Sequence, residues 1–396
     1  LLAENGDKEA ALGVRRGSRL LTLRVTPARS ADGVYRLGAW IRDSMAGIGT
    51  VTFYDPQTGA FAALGHGITD VDTGALMPLS RGAVMAASVK AVRRGASGSP
   101  GELRGDFDLK HDLGALYANT ECGIFGIAAS AEQTDPAVAV YQALYALQHR
   151  GQDSSGIAVC LDDDIQVHKA KGLVPDVFDR AHLNAFHGAK AAVGHVRQSI
   201  GGGLATPSNI QPLVVHHASG SLALCYNGKL VNSTALRAET ENRGGIFQGT
   251  NDAEVISYVI VREHLRTDTL ADAVLNAMYY LIGAYSMVVM DRSCLIAARD
   301  PNGFRPLCMG RVKNSIVFAS ESCAIEALGG TFLRDVEPGE VVVAEYGSTE
   351  VQSYHCDVRA KSALCMFELI YFARQDSVVD GAAVSKVREK AGRMLA

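Results

Sequence analysis

The sequence predicts an α+β protein in which helices cover two packed sheets, preceded by an all-β segment. Three observations point to this class. Residues 1–115 are almost all short alternating runs, which is typical of strands. After residue 122, buried strands alternate with amphipathic helices, and three strands follow the last helix. This order favours a layered sandwich with its helices outside the sheets.

The N-terminal segment begins with a predicted β-hairpin. Apolar and polar residues alternate over 12–27, and Gly17 and Ser18 form a turn between the two halves. Further short strands are predicted over 34–65. Residues 93–106 are rich in glycine and polar side chains, so we expect a loop there.

The elements after residue 122 are longer. Helical spacing predicts helices over 138–149, 253–265 and 270–282. Apolar runs of strand length predict buried strands over 190–197, 221–226, 285–290, 294–298 and 316–320.

The composition excludes several classes of protein. The chain has 396 residues, 47% of them apolar and 20% charged, which suits a soluble globular protein of two or three domains. A net charge of −4 predicts no binding to nucleic acid or anionic membranes. No apolar run approaches the ~20 residues that span a bilayer, and residues 1–30 lack a signal-peptide pattern. We therefore expect a cytoplasmic protein.

The chain has eight cysteines and no Cys-x-x-Cys pair. Most of them lie in apolar, strand-like strings, so the simpler interpretation is buried, reduced thiols in a cytosolic protein. Cys122 and Cys365 are set apart by the strings around them.

Three strings have residues suited to binding and catalysis. Arg197 follows a buried strand and precedes the glycine-rich residues 201–203, where a guanidinium can hold a carboxylate through two hydrogen bonds. Asn227 and the N–H of Gly228 end another strand and form a plausible oxyanion hole. Asp252 opens a helix, and by itself an N-cap is its simpler interpretation.

Cys122 precedes a short strand of glycine, isoleucine and phenylalanine. Arg150 and Gly151 end the first predicted helix and alone would be only a basic C-terminal turn. Together with the strings above, residues 121–396 resemble the amidophosphoribosyltransferase family, over its glutaminase domain. The resemblance rests on residues 147–152, 192–197, 300–307, 319–324 and 336–340.

This resemblance implies an N-terminal-nucleophile fold, a four-layer αββα sandwich, that hydrolyses glutamine to glutamate and ammonia for the first step of purine synthesis. Cys122 would attack the glutamine amide, and its own α-amine, with a pKa near ~8, would act as general base. The other roles implied are an oxyanion hole from Asn227 and Gly228, binding of the α-carboxylate by Arg197 and of the α-ammonium by Asp252, and lining of the pocket by Arg150 and Gly151.

The chain departs from the family pattern around this pocket. The family usually has other residues at the positions of Gln198, Ile200, Tyr226 and Lys229. These differences put the rate and the glutamine affinity in question, while the core groups are retained.

The resemblance also implies parts that we expect to lie beyond residue 396. Residues 356–396 match the start of a phosphoribosyltransferase domain, which in the full-length family uses Mg. Cys365 matches the first of four thiolates that hold a [4Fe–4S] cluster in one branch of the family. Because one thiolate cannot hold such a cluster, we expect this chain to carry no cofactor and to make no phosphoribosylamine. A homo-oligomer is compatible with the resemblance.

The N-terminal segment resembles a second family, the SpoIVB serine peptidases. Residues 35–44, 46–50 and 63–73 carry the likeness, and His66 would be the general base. Ser97 is rejected as the nucleophile because that family places its catalytic serine later in the chain. A base without its nucleophile forms no acyl-enzyme, so we expect this segment to be inert.

These resemblances predict four segments: a PDZ-like tail at 1–30, a partial peptidase with an incomplete, trypsin-like half-barrel at 31–120, a glutaminase domain at 121–355, and the truncated domain at 356–396. The two likenesses overlap at residues 119–126. Three interpretations stay open: a glutaminase that requires cleavage between Glu121 and Cys122, a peptidase-related chain that binds a partner, and an inactive chimeric fusion.

Overall fold

The structure is a computed structural model of the chain. It describes residues 8–16, 19–29, 33, 35–36, 49–54, 61–65, 82–93, 102–116, 120–130, 134–199, 207–218, 220–358 and 362–395.

All regular secondary structure in the described residues before 117 is β-strand, in four antiparallel pairs taken in chain order. These are β1 (Ala10–Arg16), β2 (Arg19–Val25), β3 (Ala28–Arg29), β4 (Tyr35–Arg36), β5 (Gly49–Tyr54), β6 (Phe61–Gly65), β7 (Gly82–Arg93) and β8 (Glu102–Leu116). The predicted hairpin over 12–27 is present as β1 and β2. The loop predicted over 93–106 is wrong at residue 93 and at 102–106, which pair in β7 and β8, and residues 94–101 lie outside the described residues. Within the described part of this segment, no ladder joins one pair to another.

The rest of the chain builds two antiparallel sheets. The first contains seven strands, in the order β11-β10-β12-β9-β18-β17-β19. Their ranges are β9 (Thr120–Ala128), β10 (Ser154–Leu161), β11 (Asp164–Lys171), β12 (Ala191–Ser199), β17 (Cys308–Val312), β18 (Ser315–Ala319) and β19 (Thr331–Asp335).

The second sheet contains six strands, in the order β13-β14-β15-β16-β20-β21. Their ranges are β13 (Leu213–His217), β14 (Gly220–Leu230), β15 (Gly283–Met290), β16 (Cys294–Arg299), β20 (Glu340–Glu345) and β21 (Val351–His355). A last short pair, β22 (Val378–Val379) and β23 (Ala382–Ala383), stands apart from both sheets.

The described helices lie around these sheets. They are α1 (Pro136–Ala146), α2 (Val174–Val177), α3 (Arg180–Ala185), α4 (Ser233–Asn242), α5 (Asp252–His264), α6 (Leu270–Met278), α7 (Ser322–Ala327) and α8 (Val384–Leu395). One apolar core packs α1 and α7 on the first sheet. A second packs α5 and α6 on the second sheet, and a third fills the space between the sheets. The predicted four-layer αββα sandwich is therefore confirmed.

Helix α1 shows why the sequence folds this way locally. Pro136 occupies its first turn, and the Asp135 side chain caps it by accepting from the N–H groups of Ala137 and Val138. Buried residues recur at helical spacing along its inner face. The helix ends at Ala146, three residues before the predicted end, because residues 148–150 tighten into a 3₁₀ turn.

Strand alternation decides which side chains enter the space between the sheets. On β9, Ile124 and Ala128 belong to the core between the sheets, whereas Phe125 and Ile127 face the helices. By the same period, Cys122 shares the inner face with Ile124. No described helix is both long and apolar enough to cross a membrane.

Candidate active site

Cys122 and Arg197 are direct partners in the antiparallel ladder between β9 and β12. Side chains at opposed positions of a ladder lie on the same face of the sheet, so both enter the space between the sheets. The Cys122 side chain is buried, and that of Arg197 is partly buried. The Arg197 guanidinium donates to the Asn209 carbonyl oxygen at 2.9 Å. Among the described residues, no carboxylate forms an ion pair with it within 4.0 Å. The strand pairing thus brings together a thiol and a cation that were predicted to share a site.

Asn227 lies on β14, in the opposing sheet. On that strand Ala223 and Cys225 belong to the core between the sheets, so Asn227 faces the same space as Cys122. Its side chain is fully buried, and within the described structure neither its Nδ2 nor its Oδ1 has a hydrogen-bond partner. A buried amide without hydrogen-bond partners lowers the stability of the folded protein. Such an arrangement is expected where the amide forms its hydrogen bonds to a ligand.

The next residue, Gly228, has a backbone that only glycine can adopt here. Its φ is +154°, and a Cβ would lie 2.0 Å from the Ala284 carbonyl oxygen on the neighbouring strand β15. The two strands therefore approach closely at the position proposed for an oxyanion hole.

Tyr226 precedes Asn227 within β14, which continues past the predicted strand end at residue 226 to Leu230. Its N–H donates to Gln211 Oε1 at 2.7 Å, and its carbonyl oxygen lies 3.0 Å from His195 Nε2. Burial lowers the pKa of His195 to about 3, so the ring is neutral and donates through Nε2. Burial raises the pKa of the Tyr226 hydroxyl well above its usual value, and the charges of Asp252 and Cys122 raise it further. That hydroxyl is therefore within electrostatic reach of both predicted site residues.

Asp252 is the first residue of α5, and it is not the N-cap. Asn251 fills that position, with its side chain accepting from the Ala253 N–H. The buried Asp252 carboxylate accepts from Lys229 Nζ at 2.9 Å and from the Leu230 N–H at 3.0 Å. The simpler interpretation of Asp252 as a helix cap is therefore wrong, because its carboxylate points to the end of β14.

Asn209 connects Arg197 to the start of α5, a role that the sequence does not predict. Its carbonyl oxygen accepts from Arg197 and from Asn251 Nδ2 at 3.2 Å. Its side chain bonds both the N–H and the hydroxyl of Thr250, each at 2.9 Å. It lies in a short polar turn, Pro207–Asn209, whose sequence gives no signal of this role.

Arg150 lies fully buried behind β9, the strand that carries Cys122. It donates to the Cys122 carbonyl oxygen at 3.1 Å, to Glu321 Oε1 at 2.6 Å and to both oxygens of Glu368 at 2.8 and 2.9 Å. Burial raises the pKa of Glu321, but the charge of Arg150 and a hydrogen bond from His149 outweigh it and hold that pKa well below its usual range. Glu321 and Glu368 were not predicted. That Arg150 lines a substrate pocket stays a prediction.

Gly151 packs its Cα directly against β12. A Cβ there would lie 2.4 Å from the Arg197 nitrogen and 2.6 Å from the Val196 carbonyl carbon. Because residue 151 has no side chain, the turn after α1 can contact the backbone of β12 beside Arg197.

Two predicted residues remain. His66 lies outside the described residues. Cys365 is partly buried and its N–H donates to the Phe304 carbonyl oxygen. Within the described structure, no group of three or more histidine, cysteine or acidic side chains could hold a metal ion. Because a [4Fe–4S] cluster needs four thiolates, the described residues around Cys365 do not fit one.

The cysteines agree with the interpretation as buried thiols. None of the eight forms a disulfide, and seven are buried. Burial raises the pKa of Cys160 to about 11 and that of Cys225 well above its usual value. Such thiols are poor nucleophiles at neutral pH.

Two family models match the chain. The SpoIVB peptidase S55 family matches residues 33–173, and the glutamine amidotransferase domain matches residues 195–327. The peptidase match thus continues into β9, β10 and β11, which pair within the seven-stranded sheet.

Known proteins align over a larger share of the chain. The amidophosphoribosyltransferase of Methanocaldococcus jannaschii is 44% identical over 288 residues, which is 69% of this chain and 60% of that protein. The Bacillus subtilis enzyme is 40% identical over 280 residues, 70% of this chain and 57% of that protein. This chain is homologous to amidophosphoribosyltransferases. It spans about 60% of the length of the relatives it matches.

Solved structures agree with this homology. The glutamine phosphoribosylpyrophosphate amidotransferase of B. subtilis, complexed with ADP and GMP, superposes with a TM-score of 0.63 at 39% identity, over 69% of this chain and 58% of that one. A structure described as the allosteric regulatory enzyme of purine biosynthesis gives a TM-score of 0.64 at 40% identity, over 69% of this chain and 57% of that one. The sandwich of this chain therefore has the amidophosphoribosyltransferase fold.

Proposed function

We propose that the sandwich is a glutaminase in which Cys122 hydrolyses the side-chain amide of glutamine. The observation that carries the proposal is the buried amide of Asn227, which has no hydrogen-bond partner among the described residues. It faces the space between the sheets, which Cys122 enters from the opposite sheet. The homology to amidophosphoribosyltransferases and the match to a glutamine amidotransferase domain support the same reaction.

The reaction needs a free α-amine at Cys122. In this chain that nitrogen is part of the Glu121–Cys122 peptide bond, so we propose that cleavage of this bond precedes activity. The freed amine takes the thiol proton while Sγ attacks the amide carbon. The carbonyl electrons move onto oxygen, where Asn227 Nδ2 and the Gly228 N–H stabilise the charge. Collapse releases ammonia with the proton returned by the amine, and water then hydrolyses the thioester to glutamate.

Substrate binding is proposed to rest on charges at the two ends of the site. Arg197 binds the α-carboxylate, since a guanidinium matches a carboxylate with two donors. Asp252 faces the α-ammonium, although Lys229 and Leu230 already donate to it. We further propose that residues 356–396 begin a phosphoribosyltransferase domain and that ammonia passes to it in the longer relatives.

The experiment measures cleavage before Cys122 and ammonia release on the same protein. Intact mass and N-terminal sequencing should find a new N-terminus at Cys122, and the processed protein should release ammonia from glutamine. Cys122→Ala should abolish both, whereas Cys160→Ala, which removes a buried thiol outside the site, should retain both. Ammonia release by the Cys122→Ala protein would contradict the assignment.

A second candidate function has one observation in its favour, the peptidase match over residues 33–173. A peptidase-related chain would bind a partner peptide whether or not Cys122 is present. Peptide binding that survives Cys122→Ala, in a protein that never releases ammonia, would favour this alternative.

A further inference from the structure

The Asp252 carboxylate is engaged on both oxygens by the chain itself. Lys229 Nζ lies 2.9 Å from Oδ1, and the Leu230 N–H donates to Oδ2 at 3.0 Å. The Asp252 side chain is 6% exposed and that of Lys229 is 43% exposed. An ammonium group of the protein therefore stands where the ammonium group of an amino-acid substrate would be bound.

We propose that Lys229 determines the substrate class of this site. It fills the α-ammonium position and makes the site favour ω-amides that have a carboxylate but no α-ammonium, such as glutaramate, over glutamine. This inference rests on the proposed function, and in particular on the role of Asp252.

The charges of the site match a substrate that has a carboxylate and no ammonium group. Lys229 and Asp252 neutralise each other, and Arg197, which forms no ion pair with a described carboxylate, is the cation that we propose meets the substrate. One cation matches a substrate with a single carboxylate. Glutamine is a zwitterion, and its ammonium would lie beside that of Lys229 unless the lysine moved away. Two like charges at about 4 Å in a partly buried site repel enough to change an affinity by about tenfold or more.

The position of Lys229 is fixed by the sheet and does not depend on a loop. It pairs with Ala284 on β15, two residues after Asn227. At the adjacent Gly283, with φ +151°, a Cβ would lie 2.3 Å from the Lys229 carbonyl oxygen. The strand that presents the oxyanion groups therefore also holds this lysine beside Asp252.

Lys229→Asn is the decisive variant, because asparagine removes the charge and keeps a polar side chain. The full chain is expressed, and the protein that results from processing is assayed for ammonia release from glutamine and from glutaramate, each as kcat/KM. We expect the variant to raise kcat/KM for glutamine by about tenfold, mainly through KM, and to leave glutaramate within about twofold. Lys190→Asn is the matched control, since it removes an exposed lysine that lies 2.7 Å from Asp163 outside the site.

The outcomes separate this inference from the proposed function. An unchanged preference between the two amides in Lys229→Asn would overturn the specificity role while leaving the glutaminase intact. If neither amide yields ammonia, the proposed function fails, and calorimetric binding of the two amides to both proteins still decides the inference. Tighter glutamine binding by Lys229→Asn supports it, and equal affinities overturn it.

Discussion

Arg150 and Glu321 form an ion pair with 2.6 Å between Nη1 and Oε1, and neither side chain is exposed to solvent. Arg150 also donates to the Cys122 carbonyl oxygen and to Glu368. One guanidinium therefore joins the strand of the candidate nucleophile to a residue near the C-terminal end of the described chain.

Removing Arg150 should destabilise the sandwich strongly. Arg150→Ala leaves Glu321 and Glu368 buried without their main cation, and breaking a buried pair in this way costs about 3–5 kcal/mol. Urea unfolding of the full chain measures the loss. Arg243→Ala is the control, because its pair with Glu239 is exposed and should contribute no more than about 1 kcal/mol. Equal losses in the two variants would mean that the buried network does not stabilise the fold.

Two glycine substitutions should have opposite signs. Gly151→Ala places a Cβ within 2.6 Å of the backbone of β12, so either the strand or the turn must shift. We expect this shift to lower the free energy of unfolding by about 1–3 kcal/mol. Gly392→Ala, in α8, meets no atom within 4 Å and should stabilise the helix by about 0.5–1 kcal/mol. Thermal unfolding checks both, and a neutral Gly151→Ala would show that the contact with β12 can relax.

Asn227→Ala should separate catalysis from stability. If Nδ2 stabilises the oxyanion, kcat for ammonia release falls by about 10²–10³. The free energy of unfolding should stay the same or rise, because the native amide is buried without a described partner. A loss of stability that parallels the loss of rate would instead indicate that the amide has a structural role.

The unfolding free energy should depend on pH through His195. Burial lowers its pKa to about 3, so between pH 6.5 and 3 the unfolded chain binds a proton that the folded chain does not. Stability from the neutral ring is present above pH 6.5 and is lost as the pH falls, by up to 1.36 kcal/mol per pH unit. Chemical denaturation across this range measures the slope.

Asp300 should change the unfolding free energy with pH in the direction opposite to His195. Burial raises its pKa to about 6, even though the N–H groups of Tyr285, Asn302 and Phe304 donate to its carboxylate. Between pH 4 and 6 the folded chain therefore holds a proton that the unfolded chain has released, and stability is lost as the pH rises. Asp300→Asn should steepen the acid loss due to His195. An unchanged slope would contradict the raised pKa.

Much of the sandwich could be predicted because its elements follow apolar periodicity. The predicted strands and helices recur with shifts of a few residues, as in β15 and α5. The predicted helix over 270–282 ends at Met278, although the apolar pattern continues. Asn232 explains the difference, since its side chain bonds the Tyr280 carbonyl oxygen and the Ile282 N–H. Such a tertiary contact leaves no local signal in the sequence.

The sequence predicts the residue types of the candidate site, but it does not predict which side chains those residues contact. Cys122 and Arg197 lie near strand ends that the sequence marks clearly, whereas Asn227 lies within β14, which continues to Leu230. The Glu321 and Glu368 carboxylates that bind Arg150 lie far along the chain, and only the folded sheets bring them together. The contact between Lys229 and Asp252 likewise depends on where α5 begins relative to β14.

Strand β9 begins two residues before Cys122, and Glu121 pairs with Gln198 while Thr120 pairs with Ser199. The domain boundary that the two resemblances predict at residues 120 and 121 would lie within a central strand of the seven-stranded sheet, whereas joints between domains usually fall in flexible linkers. Cleavage between Glu121 and Cys122, as we propose it, would therefore leave Thr120 and Glu121 beside β12 through their pairing with Ser199 and Gln198.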